Sequence, residues 1–404
     1  MYFGWFTAKI LHKCSMPINY QEIYTQVKQV GQGAKERRKK KEEAQELAQK
    51  LLETYSSELD ALRSKVDSAR QADANIRCAV PLDEALASHY PTPDSVSATL
   101  IAADGSQIVP NRHEAIQYYV INVGAIAMQL GSGNTPDVET DTELKVLDEF
   151  DDTHFSDSQV ALMRDVAERK KLLEMAEKFS GTIIALTEGQ LELWGAVDPE
   201  NSREFEKNLQ DYLDALEEMH NKGIIAGGYV DKPSANWFIK LLEIAATPQD
   251  ELKNVRKNRL LAGATDYWLF SQILGEHERS AVFALQAKSA EKYRGALGIH
   301  FFYLNVGSAK YPKIARVDVP QWVAANPSML NAFHAALIEQ SRIMGNKQQF
   351  PYILHRAHEI AVVTHREKEE IDQMLSRELL SSGGEIGEKS GKQSAKDLKG
   401  RTRR

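Results

Sequence analysis

Two apolar runs of this chain stop in the same way, each at a carboxylate followed by glycine, and this repeated ending constrains the fold most. Leu100-Ile101-Ala102-Ala103 runs into Asp104-Gly105-Ser106, and Ile183-Ile184-Ala185-Leu186-Thr187 runs into Glu188-Gly189. A short apolar segment closed by Gly reads as a buried strand. A carboxylate at its end is placed where a metal or a polar substrate can reach it. After Arg112-His113, the stretch Tyr118 to Gly124 is another β-rich run, at a distance from the first that suits a hairpin.

Helical periods surround these strands. Gln159 to Phe179 carries Val160, Met163, Val166, Ala167, Leu173 and Ala176 on an apolar stripe, with Arg164, Glu168 and Lys171 beside it. Ser202 to Lys222 reads as a second amphipathic helix, followed by a strand over Gly223 to Val230. Alternation of this kind predicts an α/β core. Upstream, Ala48, Leu51, Tyr55, Leu59, Leu62, Val66 and Ala69 recur at spacings of three and four, which predicts one long helix over Lys35 to Arg70. It is either a coiled-coil arm pairing two subunits or a hairpin leg folded on its own chain. Arg77 to Pro93, with three prolines, reads as a linker. The expected division is therefore a helical extension and linker over 1–97, a main domain over 98–380 and a disordered basic tail over 381–404.

Composition narrows the class. With 404 residues, 42% hydrophobic and 26% charged, the chain can bury one large core or two modest ones. Two cysteines, Cys14 and Cys78, exclude a disulfide framework or a four-Cys zinc site and suit a reducing compartment. No run approaches the ~20 apolar residues of a membrane span, and Met1 to Phe6 lacks the basic start of a signal, so a cytoplasmic location without a membrane partner is expected. The net charge of −7 is unevenly spread: Asp137 to Asp152 reads as an acidic loop, whereas Lys35 to Lys41 and Lys389 to Arg404 are basic. The tail over 381–404 is either a solubility segment or a DNA-touching one.

In order along the chain stand Ile101 to Ser106, Arg164 with Glu168 one helical turn later, Ile183 to Leu191, Gly228-Tyr229-Val230-Asp231-Lys232, Phe301 to Val306 with Arg316 to Trp322, and Phe350-Pro351-Tyr352-Ile353-Leu354-His355-Arg356-Ala357-His358. This ordered set closely resembles the NurA nuclease family over roughly residues 98 to 365. The resemblance implies an RNase H-like mixed sheet with flanking helices, and a manganese-dependent deoxyribonuclease with 5′-3′ exonuclease and single-strand endonuclease activity. It also implies a homodimer whose two active sites face a common DNA channel, and a partnership with the hexameric translocase HerA in processing DNA ends for repair. The family's metal-binding acids fall on Asp104, Glu168 and Glu188, and its late histidine on His358. Two positions depart from the family pattern: Glu188 stands where Asp is usual, and Phe350 where Tyr is usual.

The chemistry agrees with those residue types. Phosphodiester hydrolysis needs an activated water and a stabilised developing charge, and two divalent ions supply both. Manganese or magnesium accepts carboxylate and water ligands. Glu174 is the rival to Glu168 on the same helix. His358, on a predicted helix shared with His355 and His365, suits orienting a water, moving a proton or contacting the scissile phosphate. Lys232, Ser106, Arg316 and Phe350 are the expected DNA contacts. Lys288, Lys292, Arg294, Lys310 and Lys313 complete a basic cluster with Arg316, and Tyr293, Phe302 and Tyr303 are interleaved with it for stacking on bases. There is no G-x-x-x-x-G-K-[ST] loop, no G-x-S-x-G elbow and no H-E-x-x-H, so ATP hydrolysis would belong to a partner, and serine-hydrolase or zinc-hydrolase chemistry lacks its motif. The apolar Tyr2 to Phe6 patch is expected to touch a partner, the translocase being the candidate. A second functional class stays open: a DNA-binding, translocase-contacting subunit whose cleavage is impaired by the changes at Glu188 and Phe350.

Overall fold

Strands covered on both faces read as continuous apolar runs rather than alternating ones. In the computed structural model, which describes residues 18–147, 155–194, 202–345 and 349–383, the strands Thr99–Ile108 and Tyr118–Gln129 are of this type over most of their length. The chain opens with helices α1 (Tyr20–Gln32), α2 (Ala34–Tyr55) and α3 (Leu59–Ala72) and the short strands β1 (Cys78–Pro81) and β2 (His89–Tyr90). The strands β3 (Thr99–Ile108), β4 (Tyr118–Gln129) and β5 (Asp137–Val146) follow, then α4 (Asp157–Ala176), β6 (Ile183–Glu188), α5 (Ser202–Asn221), β7 (Ile225–Val230) and α6 (Trp237–Ala246). The last third contains α7 (Asp266–Ile273), β8 (Arg279–Ser280), β9 (Phe283–Gln286), β10 (Ile299–Asn305), β11 (Ile314–Pro320), α8 (Gln321–Ala324), α9 (Pro327–Ile343), α10 (Tyr352–Ala361) and α11 (His365–Ser381).

All the strands join one sheet, ordered β1-β9-β10-β11-β7-β6-β3-β4-β5 with β2 and β8 beside β10. Strands β3, β4 and β5 form an antiparallel meander, and β6 and then β7 add parallel to β3 on its other side. This is the expected RNase H-like α/β core with its flanking helices. The register sets Ala103 beside Thr187, and Glu188 beside Tyr229, so the ends of β6 and β7 lie in a row with Asp104; β3 itself does not stop there as expected, because its pairing with β4 continues to Ile108.

Helix α10 covers one face of that row and α4 the other, and each approach depends on a missing side chain. A Cβ on Gly124 would lie 2.6 Å from the Ala361 nitrogen in α10. A Cβ on Gly105 would lie 2.5 Å from Arg164 Cγ in α4. The stop of α10 is held by Ser106, whose hydroxyl donates to the Ala361 carbonyl and accepts from the Val363 N–H, and by Asn122 Nδ2, which donates to Ala361 O at 2.8 Å.

Several expectations are corrected. The single helix over 35–70 breaks at Ser56 to Glu58, where the Leu86 N–H bonds the Ser56 carbonyl, and Ala44, Ala48 and Leu52 of α2 and Leu62, Val66 and Ala69 of α3 are buried. These two segments therefore fold on their own chain, packing against α6. The stretch 77–93 is no mere linker: β1 pairs with β9 and β2 with β8, and its prolines stand at the ends or outside the strands, where no ladder hydrogen bond is lost. The acidic segment from Asp137 is strand β5 as far as Val146. Its charge belongs to an exposed sheet edge, where charged side chains discourage further pairing. His365 leaves the helix of His355 and His358, because Thr364 starts α11 with a capping box to Glu367. Met1 to Phe6, Cys14, residues 148–152 and the tail from 384 lie outside the described residues. Among the described residues no helix is long and apolar enough to cross a membrane.

Candidate active site

Side chains alternate across a strand, so Asp104, opposite Gly124, projects to the face that α10 covers, and Gly105 to the face that α4 covers. There His358, one turn before the end of α10, brings Nδ1 to 2.7 Å from Asp104 Oδ2. The Asp104 side chain is 18% exposed and that of His358 is 58% exposed, so the pair sits at a rim rather than in a core. With Nδ1 taken by the carboxylate, Nε2 is the nitrogen left for a water or a phosphate oxygen.

Glu188 ends the neighbouring strand. Partial burial raises its carboxyl above the ordinary value, the Asp104 and Asp231 charges push the same way, and His358 opposes them. Two neighbours not singled out as site residues from the sequence belong here. Tyr229 pairs with Glu188 across the β6–β7 ladder, and its buried hydroxyl has no hydrogen-bond partner among the described residues. Asp231, two residues on, adds a third negative charge. The signal for both lay in the quoted run Gly228 to Lys232: residues two apart at a strand end share a face.

Lys232 follows, exposed, with φ of +46°, a left-handed conformation that costs a non-glycine residue free energy, of order 1 kcal/mol. The next residue, Pro233, is buried, so the turn presents the Lys232 side chain outward at the same end of the sheet.

The other predicted residues are placed differently. Glu168 is buried on the α4 side, where a Cβ at Gly105 would come within 2.9 Å of its Oε1; it forms an ion pair with Arg164 at 3.3 Å and accepts a hydrogen bond from Arg169 at 3.2 Å. Burial is the main cause that raises its carboxyl to about 8, with Asp165 and Asp104 adding and Arg169 and Arg164 opposing. Its rival Glu174 is exposed and pairs with Lys171 at 3.1 Å. Ser106 is occupied in clamping α10. Phe350 packs edge-on to Tyr229, ring centroids 5.5 Å apart, so it supports the end of β7. Arg316 is buried on a bidentate pair with Asp318 (2.7 and 3.2 Å) and over the Trp237 ring, which withdraws it from any nucleic-acid contact and corrects the expectation placed on it. Tyr293, Phe302 and Tyr303 are likewise core residues.

A divalent cation fits part of this set. Asp104 and Glu188 are hard oxygen donors on adjacent strands, and the repulsion that adds to burial in raising Glu188 is what a cation would relieve. No three such side chains already converge on one point among the described residues, and Glu168 would first have to exchange a guanidinium partner.

Residues 98–363 match the model of the NurA domain. No curated protein matches the chain. Among solved structures the chain is similar to the NurA nuclease from Sulfolobus solfataricus, at 14% identity over 73% of this chain and 88% of that one, with a TM-score of 0.47. It is also similar to the catalytic domain of human endonuclease V, at 11% identity over 78% of this chain and 98% of that one, with a TM-score of 0.32.

Proposed function

Because the chain belongs to the NurA family of nucleases, we propose that it is a divalent-metal-dependent deoxyribonuclease with Asp104 at the centre of its active site. Manganese is the proposed ion, with magnesium as the other candidate. The activity is 5′-3′ exonucleolytic on ends and endonucleolytic on single strands. The protein works as a homodimer in the cytoplasm with a HerA-type hexameric ATPase, in DNA end processing and repair.

The observation that carries this reading is the pair of carboxylates just past the β3–β6 ladder, Asp104 and Glu188, with His358 bonded to the first at 2.7 Å. Asp104 and Glu188 would hold the ion, and Glu168 joins them on exchanging an arginine partner. When bound, such an ion lowers the pKa of a coordinated water and neutralises charge developing on the phosphate. The protein's own groups do the rest. Asp104 orients the His358 ring, leaving Nε2 to accept a proton from the attacking water or to donate one to a phosphate oxygen. Lys232 meets a neighbouring phosphate as a point charge. Tyr229 and Phe350 keep the back of the row dry.

The test is cleavage of end-labelled single-stranded and duplex DNA with manganese, magnesium or chelator, comparing wild type with Asp104→Ala. Metal-dependent cutting that disappears in the variant is the expected result. Equal absence of cutting by both proteins, with the translocase supplied, would favour the second class, a DNA-binding subunit.

A further inference from the structure

The three aromatic rings interleaved with the basic residues of 288–316 are core, yet one ring of that region stands in solvent. Tyr311 is 67% exposed at the tip of the β10–β11 hairpin. The Lys310 ammonium lies over this ring, 5.4 Å from its centroid. The hairpin's position follows from register. Strand β11 runs antiparallel to β7 with Arg316 opposite Val230 and Asp318 opposite Gly228, so β11 begins where β7 ends. The tip therefore belongs to the same end of the sheet as Asp231, Lys232 and Glu188, with two strand spacings, about 10 Å, separating β11 from β6.

The hairpin is also pinned. The N–H groups of Gly307 and Lys313 both donate to Asn305 Oδ1, at 2.9 and 3.0 Å, and Val306 N–H donates to Lys313 O at 2.9 Å. Tyr311 N–H donates to Ser308 Oγ and Ala309 N–H to Glu276 Oε2, both at 3.2 Å. Gly307 permits the closure, since a Cβ there would lie 2.4 Å from the Tyr311 carbonyl oxygen. A large ring left in water on a backbone already ordered loses little entropy when something covers it. An aromatic face flanked by an ammonium has the two elements that bind unpaired strands: a stacking surface for any base and a charge for the phosphate.

We propose that Lys310 and Tyr311 form a contact for an unpaired nucleic-acid strand beside the catalytic row, the ring stacking on a base and the ammonium meeting a phosphate. The proposal rests on the nuclease reading. The test is fluorescence anisotropy with a labelled single-stranded oligonucleotide and the blunt duplex of the same sequence, using the full chain with calcium in place of manganese. Tyr311→Ala is expected to raise the Kd for the single strand about tenfold, with less than a twofold change for the duplex. Tyr311→Phe, which keeps the ring, restores the affinity. Lys310→Ala is expected to flatten the slope of log K against log salt by about 0.7 for the single strand. An unchanged Kd for the single strand in Tyr311→Ala, with wild type still binding, overturns the contact, leaves the nuclease reading intact and points to a protein on that ring. A wild type that binds neither strand form and cuts neither overturns the nuclease reading and the contact with it.

Discussion

Two groups of charged side chains gather against the same sheet a few strands apart, one closed and one open. In the closed group, Asp266 accepts the Phe238 and Ile239 N–H groups at 3.0 and 2.7 Å and the Tyr303 hydroxyl. Arg316 pairs with Asp318, and Asp318 also accepts the Leu191 N–H at 3.2 Å. In the open group, Asp104, Glu188 and Asp231 repel one another, with His358 as the partner of Asp104. The closed group is fully buried, which is tolerated because its hydrogen bonds are complete, whereas the open group stands at an exposed rim. The sum of charge differs too. The closed group is satisfied from within the chain and holds the fold together, whereas the open group has surplus negative charge at a solvent-facing edge, a state that calls for a cation or a substrate.

The contrast can be broken in graded ways. The largest expected effect is on the open side: Asp104→Ala lowers metal-dependent DNA cleavage about 10⁴-fold, or about 5 kcal/mol of transition-state stabilisation, while the thermal midpoint stays within a few degrees of wild type. On the closed side the sign reverses. Arg316→Ala leaves Asp318 buried and unpaired and destabilises the protein by about 3–5 kcal/mol, read from the urea midpoint, with cleavage per folded molecule retained.

His334 sharpens the comparison through pH. Burial depresses its imidazole to about 4, and its Nε2 bonds the His277 carbonyl at 2.9 Å. The unfolded chain takes up the proton first as pH falls below about 6.5, so the contribution of His334 is complete above that value and is lost as pH drops toward 4. Against His334→Gln, wild type is expected to lose roughly 2 kcal/mol more between pH 7.5 and 5, measured by parallel denaturant titrations. Asp266, raised to about 6, acts in the opposite direction over the same range, which is why the variant comparison is needed.

Two smaller effects probe how the open row is built. Glu188→Asp withdraws a carboxylate by one methylene and is expected to lower the cleavage rate about tenfold, about 1.4 kcal/mol; a faster variant would instead show that Glu188 is a displaced ligand. Ser106→Ala removes the clamp on α10 and is expected to cost about 1 kcal/mol of stability, with a loss of cleavage of a few-fold as His358 loosens.

How far the site could be read from the sequence depends on how local each signal is. Glu188 was visible because a run of apolar residues that stops at a carboxylate says where a strand ends and what stands there; at Asp104 the same signal marks only where pairing with β6 stops, since β3 runs on to Ile108 against β4. Helix α4 and strand β7 were visible for the same reason of local period. Arg316 was misread because a charge in a strand looks the same in sequence whether its partner is a phosphate or an aspartate two residues along the same strand. Strand β1 was masked by prolines, and β5 by acids, since an edge strand takes its stability from its neighbour rather than from its own pattern.

The amino-acid order by itself determined the alternation of apolar strands and amphipathic helices, the carboxylates that close two apolar runs and the family to which the chain belongs. Tertiary structure decided which charges meet. Glycines at 105 and 124 let α4 and α10 close on opposite faces of β3, so Glu168 was drawn to two arginines on one side and His358 to Asp104 on the other. The physical reason is that strands and helices are encoded locally, by apolar period, while a charge acquires its role from partners that sequence separates by up to 254 residues.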